Sequence, residues 1–116
     1  MSQSVIVVDD DKDTVRLFSE FLQEKGIKVI GKGYDGVTAV KLYKGKKPDV
    51  VLIDLNMPNG TGFYAIKKIQ EFDPKAKIIA VTADGSSSTE EKLEKLKVPM
   101  IQKPFNMDQI ISEINN

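Results

Sequence analysis

Two short runs of branched apolar residues each end abruptly on carboxylates. Residues 5–8, VIVV, lead into Asp9, Asp10 and Asp11, and residues 50–53, VVLI, lead into Asp54 between Pro48 and Pro58. Each run reads as a strand buried on both faces, because no polar residue interrupts it. Asp54 therefore stands where a central strand leaves the core, and a carboxylate at that depth needs a hydrogen bond, a cation or a proton. Two further apolar runs end in Thr82, within residues 77–83, and in Lys103, after residues 98–102. If the four strand exits lie side by side, several carboxylates share one space with a hydroxyl and an ammonium. At a separation of about 4 Å and an effective dielectric near 20, each carboxylate pair repels by roughly 4 kcal/mol. Such a site takes up protons or a hard cation.

The chain has no histidine and no cysteine, so imidazole bases, thiol nucleophiles, disulfides and thiolate metal sites are all excluded. An all-oxygen donor set favours Mg²⁺, or Mn²⁺, over zinc or copper. A cation, the Lys103 ammonium and the Thr82 hydroxyl together suit a phosphoryl group, whose charge spreads over its equatorial oxygens. Asp54 is then the natural nucleophile, since a carboxylate can form an aspartyl phosphate.

The elements that must position these residues follow from periodicity. Helices are predicted over residues 14–25, with Asp11 or Asp13 as N-cap and Gly26 as stop, and over 38–43, 63–72, about 87–97 and after Asn106. Apolar residues recur at helical spacing as Val15, Phe18, Phe21 and Leu22 in the first, as Phe63, Ile66, Ile69 and Phe72 in the third, and as Met107, Ile110, Ile111 and Ile114 in the last. The fourth helix carries little beyond Leu93 and Leu96, which predicts a narrow packed stripe, and Ser86 to Ser88 precede Glu90 and Glu91 at capping-box spacing. A second strand is expected over residues 27–30. Gly31, Gly33, Asp35 and Gly36 read as the loop after it, and residues 56–62, NMPNGTG, as another loop. Five strands alternating with five helices call for an α/β fold, a doubly wound parallel sheet covered on both faces. Ligands of such sheets bind at the carboxyl ends of the strands.

Length and charge bound the rest. The 116 residues make one domain, residues 1–116, and the 17 basic side chains balance 17 acidic ones, which argues against direct nucleic-acid binding. No apolar run approaches a membrane span, and the reading is of a cytoplasmic protein without membrane insertion.

VVDD at residues 7–10, DLNMP at 54–58, VTA at 81–83 and KPF at 103–105 occur in order at four strand exits. With them the chain resembles a response-regulator receiver domain, similar to single-domain chemotaxis-type regulators, over essentially its whole length. That resemblance implies a flavodoxin-like sheet of order 2-1-3-4-5. It implies Asp54 as phosphoacceptor, charged by a sensor histidine kinase, a phosphotransfer protein or a small phosphodonor. Mg²⁺ would be held by Asp10 directly, Asp9 through water, Asp54, and the backbone carbonyl of Asn56. Thr82 and Lys103 would bind the phosphoryl group, the Lys103-Pro104 bond would be cis, and a downstream target protein would dock on the switched surface of a monomer that dimerises, if at all, on phosphorylation. Met100 occupies the switch position where the family commonly has an aromatic residue. Asn59, Gly60 and Thr61 replace the family's more usual loop, whereas Gly62 fits it.

Three other readings compete. A turnover phosphatase is disfavoured because Asn56 replaces the second carboxylate such an enzyme would carry two residues after Asp54, and a nucleotide module because no GxGxxG or Walker pattern occurs. A degenerate receiver, docking proteins without taking phosphate, is the alternative that magnesium-dependent phosphorylation separates.

Overall fold

The computed structural model describes residues 3–58 and 61–116. Within them the order is β1 (Ser4–Val8), α1 (Lys12–Glu24), β2 (Lys28–Gly33), α2 (Gly36–Lys46), β3 (Val50–Asp54), α3 (Thr61–Phe72), β4 (Ile78–Thr82), α4 (Ser87–Lys95), β5 (Met100–Gln102) and α5 (Met107–Asn115). The strands pair in parallel in the order β2-β1-β3-β4-β5. The strand order and the doubly wound class are those expected from the chain's own alternation and its resemblance.

Side-chain alternation along the central strands divides the core in two. Ile6, Val8, Val51, Ile53 and Ala80 face α2, α3 and α4, where Ala39, Ile66, Ile69 and Leu93 meet them. Val5, Val7, Leu52, Ile79 and Val81 face α1 and α5, where Val15, Leu22, Ile110 and Ile114 close the other layer. Both faces are covered, and every residue of β3 and β4 is buried. Among the described residues no helix is long and apolar enough to cross a membrane.

Caps set the helix starts. The side chain of Asp11, rather than that of Asp13, accepts from the Asp13 N–H and opens α1, which ends at Lys25 before Gly26 at φ +83°. Asp35 caps α2 through the Thr38 N–H, and Asn106 forms a reciprocal capping box with Gln109 on α5. In α4 the cap is Ser86, which accepts from Thr89 N–H, so the serine-to-glutamate spacing seen in the sequence is not the pairing used.

Several boundaries differ from expectation for tertiary reasons. Gly31 and Gly33 belong to β2 rather than to a loop, because α2 crosses them closely. A Cβ on Gly31 would lie 3.0 Å from Ile6 Cγ2 and 3.3 Å from Leu42 Cδ2. Helix α2 runs past Gly45 and stops at Lys47, whose φ of 45° turns the chain left-handed ahead of Pro48. Thr61 and Gly62, expected in a loop, begin α3, while Asn59 and Gly60 lie outside the described residues. Strand β5 is shorter than residues 98–102, starting only after Pro99. Phe72 does not complete a core stripe with Ile66 and Ile69. It is 46% exposed, packed edge-on against Tyr43 with Lys44 above its ring.

Candidate functional site

Parallel register carries the polar strand exits to one end of the sheet. Val8 pairs with Ile53, Asp54 with Val81 and Thr82 with Gln102, so the residues that follow emerge side by side. Asp54 is the last residue of β3 and only 5% exposed. Its Oδ2 lies 2.7 Å from Lys103 Nζ, and its Oδ1 accepts from the Asn56 N–H at 2.7 Å. Both oxygens therefore have donors, and the lysine supplies the charge that makes burial tolerable.

Lys103 is held at its own backbone, where its N–H donates to the Thr82 carbonyl at 2.8 Å. The Lys103-Pro104 bond is cis, as the resemblance implied, and Phe105 then packs its ring 5.8 Å from that of Phe18 on α1. Gly62, at the start of α3, lies against the exit of β3, and a Cβ there would come within 3.2 Å of the Asp54 carbonyl oxygen.

Asp9 leaves β1 beside Asp54 and is buried. Burial pushes its carboxyl up to about 7, and the Asp54 carboxylate adds to the rise, against the Asp11 N–H that Oδ1 accepts at 3.0 Å. Asp10 is exposed, with its carboxyl near that of Asp9. Asp11 is spent on capping α1, where it also accepts from the Thr14 hydroxyl at 2.8 Å. Among the described residues no three acidic side chains converge into a ready-made metal cage. What the structure brings together is a chain of neighbours, Asp54 to Asp9 to Asp10, made of oxygen donors alone. The Asp9 carboxyl in the middle of it resists ionising, which is the electrostatic condition a hard divalent cation relieves.

Thr82 is buried, and its Oγ1 accepts from the Asp84 N–H at 2.9 Å. Asp84 itself turns toward α4. Its Oδ2 accepts from the Thr89 hydroxyl at 2.7 Å and its Oδ1 from the Ser86 N–H at 2.9 Å, bonds that hold the carboxyl below the usual range. Asn56 reaches across the site, and its Oδ1 accepts from the Ala83 N–H at 2.7 Å. The sequence marks Asn56 for its backbone carbonyl and for its place two residues after Asp54, but not for this side-chain bond, which spans 27 residues with no local pattern to announce it. Met100 is half-buried against the α2, α3 and α4 side of the core. It lines a cavity of about 310 Å³ with Glu90, Leu93, Glu94, Val98 and Pro99.

Chemically, this is a desolvated carboxylate aligned by an ammonium and a backbone amide, with a hydroxyl and further carboxylates at its rim. Such a group can act as an oxygen nucleophile toward an electrophile bearing negative charge, given enough positive charge around it.

A family model described as the response regulator receiver domain matches residues 5–115. The chain is 34% identical to the chemotaxis protein CheY of Thermotoga maritima over 118 residues, covering 99% of this chain and 97% of that protein. It is 31% identical to CheY of Bacillus subtilis over 116 residues, at 99% and 97% coverage. In structure it is similar to a chain of the CheX-CheY-BeF3-Mg+2 complex from Borrelia burgdorferi, with a TM-score of 0.89, 27% identity, and 97% and 86% of the two chains covered. With four strand-exit motifs converging on one buried carboxylate and the match extending over nearly its whole length, the chain belongs to the response regulator receiver domain family.

Proposed function

We propose that the chain, as one receiver domain over residues 1–116, takes a phosphoryl group on Asp54 and thereby switches a protein-docking surface. The observation that carries this reading is the 2.7 Å contact between Lys103 Nζ and the Asp54 carboxylate at the exit of a fully buried strand. In the step proposed, an Asp54 carboxylate oxygen forms a bond to phosphorus as the bond from phosphorus to the donor's imidazole nitrogen, or to the oxygen of a small acyl phosphate, breaks. The leaving group takes the electron pair, and a proton from solvent where it needs one. Lys103 is then positioned to shift from the carboxylate to a phosphoryl oxygen, and the Thr82 hydroxyl to donate to another. Catalysis is mainly positioning and charge neutralisation. The domain promotes its own charging and discharging and is not a turnover enzyme.

Asp9, Asp10, Asp54 and the Asn56 carbonyl would hold Mg²⁺, or Mn²⁺, consistent with an oxygen-only donor set beside a carboxyl that resists ionising. The ion when bound would neutralise charge on the incoming phosphoryl oxygens. The partners in this reading are a sensor histidine kinase or phosphotransfer protein upstream and a target protein downstream, in the cytoplasm, with the domain monomeric until charged. One relative's structure supports such a target, since that CheY was crystallised with CheX.

Intact-protein mass spectrometry after incubation with acetyl phosphate, with and without Mg²⁺, tests the reading. One phosphoryl group gained only with Mg²⁺, and absent in Asp54→Ala, is expected. No gain from either acetyl phosphate or a histidine-phosphorylated donor would leave the domain as a phosphate-independent docking module.

A further inference from the structure

The loop between β4 and α4 is tied at both ends. At one end the Ala83 N–H donates to Asn56 Oδ1 at 2.7 Å, and the Asn56 N–H donates to Asp54 Oδ1 at 2.7 Å. Two hydrogen bonds through a single residue therefore join the buried carboxylate to the loop. At the other end Asp84 grips the first turn of α4, accepting from Ser86 N–H and the Thr89 hydroxyl, while its own N–H donates to Thr82 Oγ1. Ala83 and Asp84 are consecutive, so a displacement of one is passed to the other through a single peptide unit.

We propose that Asn56 is a positioning residue whose amide oxygen latches the β4–α4 loop in the uncharged state, and that Asp84 passes release of that latch to the first turn of α4. This deepens the proposed function and rests on it only for the stimulus that opens the latch.

The physical argument is competition for a donor. The Asn56 amide is a neutral acceptor, and a hydrogen bond to an anionic oxygen is about twice as strong as a neutral one. Anionic oxygens added at Asp54 are within one residue's reach of the Ala83 N–H and outcompete the amide oxygen for it. Charging also removes the ionised carboxylate that the Asn56 N–H now serves, which loosens the latch from its other side. Helix α4 is able to respond at its first turn because its packed stripe is narrow. Thr89 and Leu93 are its buried residues, and the cavity of about 310 Å³ beside Leu93 and Met100 leaves room to move. Release at Asn56 thus reaches α4 without an aromatic side chain at position 100.

Amide NMR and hydrogen exchange on the full chain, uncharged and without a phosphodonor, test the latch directly. Asn56→Ala keeps the backbone carbonyl but removes the acceptor, and exchange at Ala83 should rise about tenfold, the loss of one ordinary hydrogen bond. Resonances of residues 86–91 should move with it. Asn56→Asp, which keeps an acceptor oxygen, should leave Ala83 slow. In an Asp84→Ala background, Asn56→Ala should still free Ala83 but add no further movement in residues 86–91. Unchanged exchange at Ala83 in Asn56→Ala would overturn the proposal, as would an equal response of residues 86–91 with and without Asp84. Beryllofluoride with Mg²⁺ should move residues 86–91 of the wild type in the same direction as Asn56→Ala does, and movement in another direction would count against release by charging. Acetyl phosphate and intact mass on the same samples judge Asp54 as acceptor separately. Failure there strikes the proposed function, while the uncharged spectra still decide the latch.

Discussion

Lys103 Nζ stands 2.7 Å from Asp54 Oδ2, with the lysine side chain one-third exposed and the carboxylate nearly closed off at 6%. The pair is asymmetric, and the aspartate depends on the lysine more than the lysine on it. Lys103→Met leaves a buried carboxylate with only the Asn56 N–H and with Asp9 as neighbour. The variant is expected to lose about 1–3 kcal/mol at neutral pH, less than the roughly 3–5 kcal/mol of a fully buried broken pair because water still reaches the lysine end. Lys103→Arg, which keeps the charge, should recover most of it. Urea unfolding of the three proteins measures this, and equal midpoints for wild type and Lys103→Met would show that Asp54 is satisfied without its cation.

Asp9 presents the opposite case, a carboxyl that the fold holds against its preference. Its folded value of about 7 lies above the ordinary 3.8, so the folded state keeps the proton longer than the unfolded chain does. Stability is therefore highest below the ordinary carboxylate value and falls as pH rises toward 7. Asp9→Asn should be more stable than wild type above pH 7 by about 1–3 kcal/mol, discounted for screening at the mouth of the site, and no different in acid. Added Mg²⁺ should raise the melting temperature of the wild type and do less for the variant. A variant no more stable than wild type at pH 8 would mean that Asp9 is well solvated.

The strand exits at Asp9, Asp54 and Thr82 were readable in the sequence because an unbroken apolar run that stops on Asp or Thr marks a core strand reaching the surface, whereas the run before Lys103 is broken by Pro99 and Gln102 and its strand proved shorter. Parallel pairing then left those ends no choice but to meet. The cap at Asn106 was equally local, whereas Asp35, read as a loop residue, proves to cap α2. What could not be read was set by distant partners. Gly31 and Gly33 look like turn residues until Leu42 of α2 is laid across them. Phe72 has helical spacing with Ile66 and Ile69, yet it sits in the last turn of α3, past the edge of the sheet's cover. The Asn56 bond to Ala83 and the Tyr43 bond to Asp73 join segments 27 and 30 residues apart, and nothing near either residue marks them.

Two glycines on the same layer should respond to alanine with opposite signs. At Gly31 the added methyl meets Ile6 Cγ2 at 3.0 Å and Leu42 Cδ2 at 3.3 Å, between a central strand and a packed helix. Gly31→Ala should cost about 1–3 kcal/mol by overpacking. At Gly45, inside α2, nothing lies within 4 Å, and Gly45→Ala should gain about 0.5 kcal/mol from helix propensity and the less flexible unfolded chain. Chemical denaturation of both variants decides it. A neutral Gly31→Ala would mean that α2 slides outward on β2 at little cost.

The Tyr43 hydroxyl donates to Asp73 Oδ2 at 2.7 Å and ties α2 to the end of α3, while its ring meets Phe72 edge-on with centroids 6.2 Å apart. Tyr43→Phe removes the hydroxyl and keeps the ring, so it isolates the hydrogen bond, and a fall of a few degrees in melting temperature is expected near neutral pH. Both partners titrate, which gives that difference a window. The Tyr43 hydroxyl and the Lys75 N–H hold the Asp73 carboxyl below its ordinary value, so its stabilisation is present above the unfolded carboxylate value and is lost as pH falls through the folded one. Burial, together with Asp73, pushes the Tyr43 phenol up from 10.0 to about 12, so its share is complete below pH 10 and is lost as pH rises toward 12. Melting temperatures of wild type and Tyr43→Phe should thus differ on a plateau from mildly acidic pH to about 10 and converge on either side. A difference that stays constant from acid to alkali would assign the loss to packing around the ring, because packing does not titrate and a hydrogen bond between two ionisable groups must.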